Sequence, residues 1–176
     1  MTTANEFELM LTGGHPNSLG RTVEVVDIVL DDPSRLETLF DCYHSQDAVV
    51  RLRTSNAFKR IFRAEPTWFK PMINDFLEQL PTLDQASANW TLAQLCYEND
   101  PQLSDSQRKK AIRQCQQFLQ SDDWIVLKTS LQALSHWARS NTTLKDWLIP
   151  ELEKHQKDSR KTVANSASKG LKQLVK

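Results

Sequence analysis

Two stretches of the chain share one pattern of apolar and small residues at helical spacing. The first is DAVVRLRTSNAFKRIF in residues 47–62, and the second is DWIVLKTSLQALSHWAR in residues 123–139, 76 positions later. Each stretch begins with an aspartate, a residue type that commonly caps a helix N-terminus. The pattern predicts two copies of one amphipathic helix. Five positions correspond: Val50, Thr54, Ala57, Phe58 and Ile61 in the first copy, and Val126, Ser130, Ala133, Leu134 and Trp137 in the second.

Small residues recur near the middle of four predicted helices. Ala57, Ala93, Ala133 and Gly170 are separated by 36, 40 and 37 positions. A small side chain lets a neighbouring helix approach closely, and a helical hairpin buries its apolar face only against another hairpin. The spacing therefore predicts an all-α fold, an α-α superhelix of about four helical hairpins plus an N-terminal helix.

The predicted domain covers residues 18–176. Residues 1–17 end in the breaker cluster GGHP, and we interpret them as a mobile arm or an end cap, with a partner-binding peptide as the alternative. Residues 22–30, TVEVVDIVL, could form a strand by propensity. We predict a helix there, because no neighbouring stretch offers a strand to pair with.

Several local features resemble HEAT repeats, a family of armadillo-like α-solenoids. An aspartate stands at the turn, Val50-Arg51 opens the second helix of a pair, and the first helices contain W-x-x-P in Trp68–Pro71 and Trp147–Pro150. Over residues 20–174 the chain also resembles small uncharacterised bacterial HEAT-repeat proteins. The resemblance implies that the second helices line the inner curve of a solenoid, and it implies almost nothing about activity.

The amino-acid composition indicates the cellular compartment of the protein and the classes of partner that it favours. The chain has 22 basic and 22 acidic residues, so no overall charge directs it to nucleic acid or to a membrane. Its three cysteines lack CxxC spacing, which favours a reducing compartment over a disulfide framework. The acidic N-terminus is unlike a signal peptide, and no segment reaches the roughly 20 apolar residues of a membrane span. We expect a cytoplasmic protein without membrane association.

Candidate chemistry is sparse. The four histidines lie far apart, and Cys42 and His44 would point to different faces of a helix, so we interpret Cys42 as a core residue and expect no metal site. Residues 13–16, GGHP, lack the GK[ST] of a phosphate loop, and no G-x-S-x-G or H-E-x-x-H motif occurs. We expect no cofactor and no enzymatic activity.

Charge is distributed unevenly along the chain. Residues 1–50 carry 2 basic and 9 acidic side chains, whereas residues 107–176 carry 14 and 6. These blocks could simply be solvated surface with complementary neighbours. Alternatively, the second helices project a moderately basic inner surface that suits an acidic protein patch or a nucleic-acid backbone. We predict this surface to contain Arg53, Asn56, Lys59, Arg60, Lys128, Gln132, His136 and Lys169. Trp90 and Trp137 fall on the buried side of their helices.

The leading functional prediction is a non-enzymatic scaffold that binds a protein partner through this inner surface. One alternative is nucleic-acid binding, as in the HEAT-type DNA alkylation-repair glycosylases. A second alternative is attachment of a bilin chromophore, since some HEAT-like proteins of photosynthetic bacteria are bilin lyases. The absence of a recognisable catalytic set favours the scaffold.

Overall fold

The structure, a computed structural model, describes residues 5–15 and 17–175. Within these ranges the chain is helical, with short 3₁₀ turns between several helices and no strand, so the all-α prediction is confirmed. The helices are α1 (Glu6–Leu11), α2 (Thr22–Asp31), α3 (Leu36–Asp41), α4 (Ala48–Ala64), α5 (Phe69–Gln79), α6 (Ala86–Glu98), α7 (Asp105–Phe118), α8 (Trp124–Ala138), α9 (Thr142–His155) and α10 (Lys161–Leu174).

The helix boundaries follow capping chemistry that is visible in the sequence. Asp47 Oδ1 accepts a hydrogen bond of 2.8 Å from the backbone N–H of Val49, and Asp123 Oδ1 caps α8 in the same way. Ser104 and Gln107 form a reciprocal capping box at the start of α7. Residues 22–31 form α2, so the choice of helix over strand for this segment is confirmed.

The chain forms two compact units, the first ending at Pro71 and the second beginning at Met72, where the sequence predicted a single domain preceded by an arm. In the first unit α4 packs against α1 and α2. Its core includes a run of aromatic rings: Tyr43 stacks on Phe58 at 6.0 Å between ring centroids, and Phe62 lies 5.4 Å from Phe58. This cluster anchors the middle of α4.

The N-terminal segment belongs to the core of the first unit. Phe7 and Leu11 of α1 are fully buried, and the Arg35 guanidinium lies 4.7 Å above the Phe7 ring. The Asn5 side chain donates a hydrogen bond to the carbonyl oxygen of Thr38. Within the described residues 5–15, Phe7 and Leu11 are therefore used for packing, whereas Leu9 is 65% exposed.

The second unit is organised around α8, which packs against α6, α7, α9 and α10. Its core positions Val126, Ala133 and Leu134 are fully buried, as the repeat pattern predicted. Among the described residues, α6 and α10 do not make a comparable contact with each other, so α6, α8 and α10 follow one another in series. This order within the second unit is compatible with a superhelical packing of hairpins.

The last helix ends the series with a polar outer face. Val163, Ala167 and Leu174 of α10 are buried, whereas the opposite face is exposed and contains Lys161, Thr162, Asn165, Lys169 and Lys172.

Gly170 allows α10 to approach α8 and α9 closely, as its small size predicted. A Cβ atom at this position would lie 2.5 Å from Ser135 Oγ and 2.9 Å from Leu152 Cδ2. We expect Gly170→Val to lower the free energy of unfolding by about 1–3 kcal/mol, because overpacking forces the facing side chains to move. Urea denaturation measures this loss, and Asn165→Val on the exposed face of α10 is the matched control. Equal losses in the two variants would contradict the close approach.

Candidate functional site

Half of the predicted binding residues lie on α4 in the first unit. Arg60 is exposed, and Asn56 and Lys59 are half-buried. Arg53 is only 1% exposed, so its prediction as a projecting surface residue is wrong. Position 53 shares the buried side of α4 with Val50 and Ala57, at separations of three and four residues.

The guanidinium of Arg53 binds the backbone that leads from α1 to α2. Its Nη1 donates to the carbonyl oxygens of Leu11 at 2.6 Å and Gly13 at 2.7 Å, and its Nη2 and Nε donate to those of His15 and Ser18. The left-handed Gly20, with a φ of 52°, lies against the same group. A β-carbon there would come within 2.9 Å of Arg53 Cζ. Arg53 therefore has a structural role, fixing the loop that carries α1.

The other half of the predicted set lies in the second unit, where three members meet. Gln132 and His136 of α8 and Lys169 of α10 line one cavity of about 260 Å³. Lys128 is half-buried one turn before Gln132, and its carbonyl oxygen accepts a hydrogen bond of 3.3 Å from Ser166 Oγ of α10. The structure thus brings together the second-helix residues of two successive predicted hairpins.

The surface of α8 and α10 is basic along its length. Within their bounds the two helices contain the lysines Lys128, Lys161, Lys169 and Lys172 and have no aspartate or glutamate. Arg139, directly after α8, is also exposed. We call the exposed side chains of α8, Arg139 and α10 that surround the cavity the basic face. It suits an anionic ligand more than a cationic or apolar one.

A larger cleft of about 750 Å³ adjoins the cavity and shares His136 and Arg139 with it. Asp100 lies at the base of this cleft, in the 3₁₀ turn after α6. Its carboxylate contacts three hydrogen-bond donors. Asp100 Oδ1 accepts from Arg108 Nε at 2.6 Å and from the indole Nε1 of Trp137 at 2.9 Å, and Oδ2 lies 3.4 Å from His136 Nε2. This network joins α6, α7 and α8.

The electrostatics of Asp100 follow from these contacts. Partial burial acts to raise its pKa, but the hydrogen bonds from Arg108, Trp137 and His136 outweigh burial and hold the pKa below its ordinary value. Asp100 is therefore ionised at neutral pH and neutralises Arg108, so that side chain is not a free cation of the cleft.

His136 is held at both ring nitrogens. Nε2 faces Asp100 Oδ2, and Nδ1 lies 3.0 Å from Arg139 Nη2, which can only donate. A neutral ring protonated at Nε2 satisfies both contacts, so the network fixes the ring orientation at the border between the cleft and the cavity. The sequence pattern identified His136 as a surface residue but gave no sign of its partner Asp100, which lies 36 positions earlier.

Trp137 is a core residue, as predicted, with 3% of its surface exposed, whereas Trp90 is half-buried. The sequence pattern did not indicate that the Trp137 indole N–H makes a hydrogen bond. A buried indole needs an acceptor. The turn residue Asp100, two positions after the end of α6, supplies that acceptor.

Thiol and metal chemistry has little support in the described part of the chain. Cys42, Cys96 and Cys115 are buried and unpaired, and burial raises the pKa of the first two thiols to about 11 and about 12. These thiols stay protonated at neutral pH and are poor nucleophiles. His44 is exposed while its neighbour Cys42 is buried, as the sequence predicted. No group of three or more His, Cys, Asp or Glu side chains able to hold a metal occurs among residues 5–15 and 17–175.

Two further findings concern membrane-spanning helices and similarity to known proteins. Across the helices that the structure describes, none combines the length and apolar character required to cross a membrane. Comparisons with protein-family models, with curated proteins and with solved structures each return no match.

Proposed function

We propose that this protein is a non-enzymatic scaffold of the HEAT-repeat type, and that the basic face of its second unit binds an acidic segment of a protein partner in the cytoplasm. The supporting observation is that α8 and α10 contain four lysines and no carboxylate within their bounds, and that Lys169 lines the cavity together with Arg139. Charge complementarity of this kind raises association rates and selects partners.

The chemistry of the second unit supports binding over catalysis. His136 lines both openings and is held by Asp100 and Arg139, and no hydroxyl or thiol of the described residues is among its hydrogen-bond partners. Cys96 and Cys115 are buried and their thiol pKa values are raised. Nucleophilic catalysis needs an activated nucleophile within hydrogen-bond reach of a base.

The amount of positive charge favours a protein partner over nucleic acid. The whole chain has equal numbers of basic and acidic residues, and Asp100 and Asp105 line the adjoining cleft. A protein whose affinity for a nucleic-acid backbone depends strongly on salt makes roughly 6–10 phosphate contacts. The basic face offers fewer cations than that, which suits a short acidic peptide segment.

Affinity capture with three baits tests the proposal. The wild type is compared with Lys128→Glu/Lys169→Glu on the basic face and with Lys154→Glu/Lys157→Glu as a control of equal charge change at the end of α9. Lysates come from cells that naturally express the protein and are divided into nuclease-treated and untreated halves. We expect a partner that mass spectrometry recovers with wild type and control, loses at least tenfold with the basic-face variant, and retains after nuclease treatment.

Two outcomes would contradict the proposal. Equal recovery with the two charge-reversed baits would show that the basic face is not the binding surface. Loss of every specific partner after nuclease treatment would show that the basic face binds nucleic acid and not a protein.

A further inference from the structure

The 260 Å³ cavity on the basic face has a buried polar group at its wall with no partner. Ser135 of α8 is 3% exposed and lines the cavity, and its Oγ makes no hydrogen bond. A buried hydroxyl without a partner is unfavourable, and a ligand that accepts its proton relieves that penalty. The neighbouring Ser166 differs, because its Oγ already donates to the carbonyl oxygen of Lys128.

The rim of the cavity supplies cations and neutral amide donors. Lys169 and Arg139 are exposed there, together with the side-chain amides of Gln132 and Gln173. Of the described residues that line the cavity, none is an aspartate or a glutamate. An anion that enters would therefore find positive charge at the opening, with the Ser135 hydroxyl buried in the wall behind it.

The size of the cavity selects the kind of anion. Pockets for drug-sized ligands and cofactors usually span about 300–1,000 Å³, and this cavity of about 260 Å³ is below that range. It also extends beside the Tyr97 ring of α6, whose centroid lies 6.2 Å from that of His136. An aromatic wall suits the methylene groups of a short side chain that ends in a carboxylate.

We propose that this cavity is a carboxylate-binding pocket that receives one glutamate side chain of the acidic partner segment. Lys169 and Arg139 neutralise the carboxylate, and the Ser135 hydroxyl, which is covered in the free protein, turns about its Cα–Cβ bond to donate to it. This proposal rests on the function proposed above and adds the pocket that holds one side chain of the partner segment. A glycine is needed at position 170, because a β-carbon there would displace Ser135 Oγ.

A titration with a minimal ligand tests the pocket without the unidentified partner. ¹⁵N-labelled full-length protein is titrated with N-acetyl-L-glutamate N′-methylamide and, as the matched neutral ligand, with N-acetyl-L-glutamine N′-methylamide. We expect saturable shifts of the backbone amides of Ser135 and Gly170 and of the Gln132 side-chain NH₂ with the glutamate ligand only.

A pair of serine variants isolates the hydroxyl. Ser130 lies on the same helix, is fully buried and also lacks a hydrogen-bond partner, but it does not line the cavity. We expect Ser135→Ala to raise the Kd for the glutamate ligand about tenfold, the typical value of one hydrogen bond to a charged group. Ser130→Ala should leave the Kd unchanged, and both variants should retain the wild-type spectrum in the absence of ligand.

Three results would contradict the carboxylate pocket. They are equal amide shifts with the two ligands, an equal Kd for the glutamate ligand in the two serine variants, and amide shifts centred on Arg108 and Lys109 of the larger cleft. The capture experiment tests the basic face separately from the pocket. If partner recovery depends on Lys128 and Lys169 but the titration shows no preference for glutamate, the carboxylate pocket is wrong. The basic face would then still be the binding surface.

Discussion

Arg53→Met is expected to lower the free energy of unfolding by about 3 kcal/mol and to release the N-terminal segment from the first unit. The guanidinium donates to five backbone carbonyls between Leu11 and Ser18, and methionine supplies none of these hydrogen bonds. Chemical denaturation measures the global loss. Hydrogen exchange of the amides in residues 5–15 measures the local one, and we expect it to accelerate in the variant.

Two further variants show that the geometry of the guanidinium matters. Arg53→Lys retains the charge but loses the planar fork, so it should recover only a small part of the stability. Arg60→Met, on the same helix with an exposed side chain, should change neither stability nor exchange. If Arg53→Met exchanged its N-terminal amides at the wild-type rate, the anchoring role of Arg53 would be wrong.

Asp100→Asn is expected to destabilise the second unit by about 2 kcal/mol at neutral pH. The amide keeps the size of the side chain but removes the charge that accepts hydrogen bonds from Arg108, Trp137 and His136, and its NH₂ group faces donors. Urea denaturation at pH 7 measures the effect. Asp105→Asn is the matched control, because Asp105 also pairs with Arg108 but its side chain is 92% exposed.

The same variant has a characteristic pH dependence. Because the folded-state pKa of Asp100 is lowered, its stabilising contribution is complete above the unfolded pKa of about 3.9 and is lost as the pH falls through the folded pKa. The difference in stability between wild type and Asp100→Asn should therefore shrink as the pH falls below about 4. A difference that grew below about pH 4 would contradict the assignment.

The helices could be predicted because their signals are local. Asp47, Ser104 and Asp123 cap the helices that follow them, and the spacing of Val126 and Ala133 placed them on the buried side of α8. Periodicity encodes which face of a helix is apolar, and capping residues act on the next three positions. The all-α class followed from these signals alone.

The candidate site could be predicted only in part. Gln132, His136 and Lys169 line one cavity, and periodicity had placed them all on the exposed faces of second helices. Arg53 was misplaced because its charge suggested exposure, although its position on α4 matches the buried side. The glycine-containing loop after α1 offered the signal, since carbonyls outside a regular helix need donors once they are buried, and a nearby arginine can supply several.

The sequence by itself therefore determined the helices, their caps and the apolar side of each, because those properties depend on residues within about one turn of each other. The tertiary structure decided which polar groups meet. Asp100 and Trp137 are 37 positions apart, and Arg53 and Leu11 are 42 apart, so each contact exists only once the helices have docked. The unpartnered Ser135 hydroxyl has the same origin, because the approach of α10 at Gly170 is what encloses it.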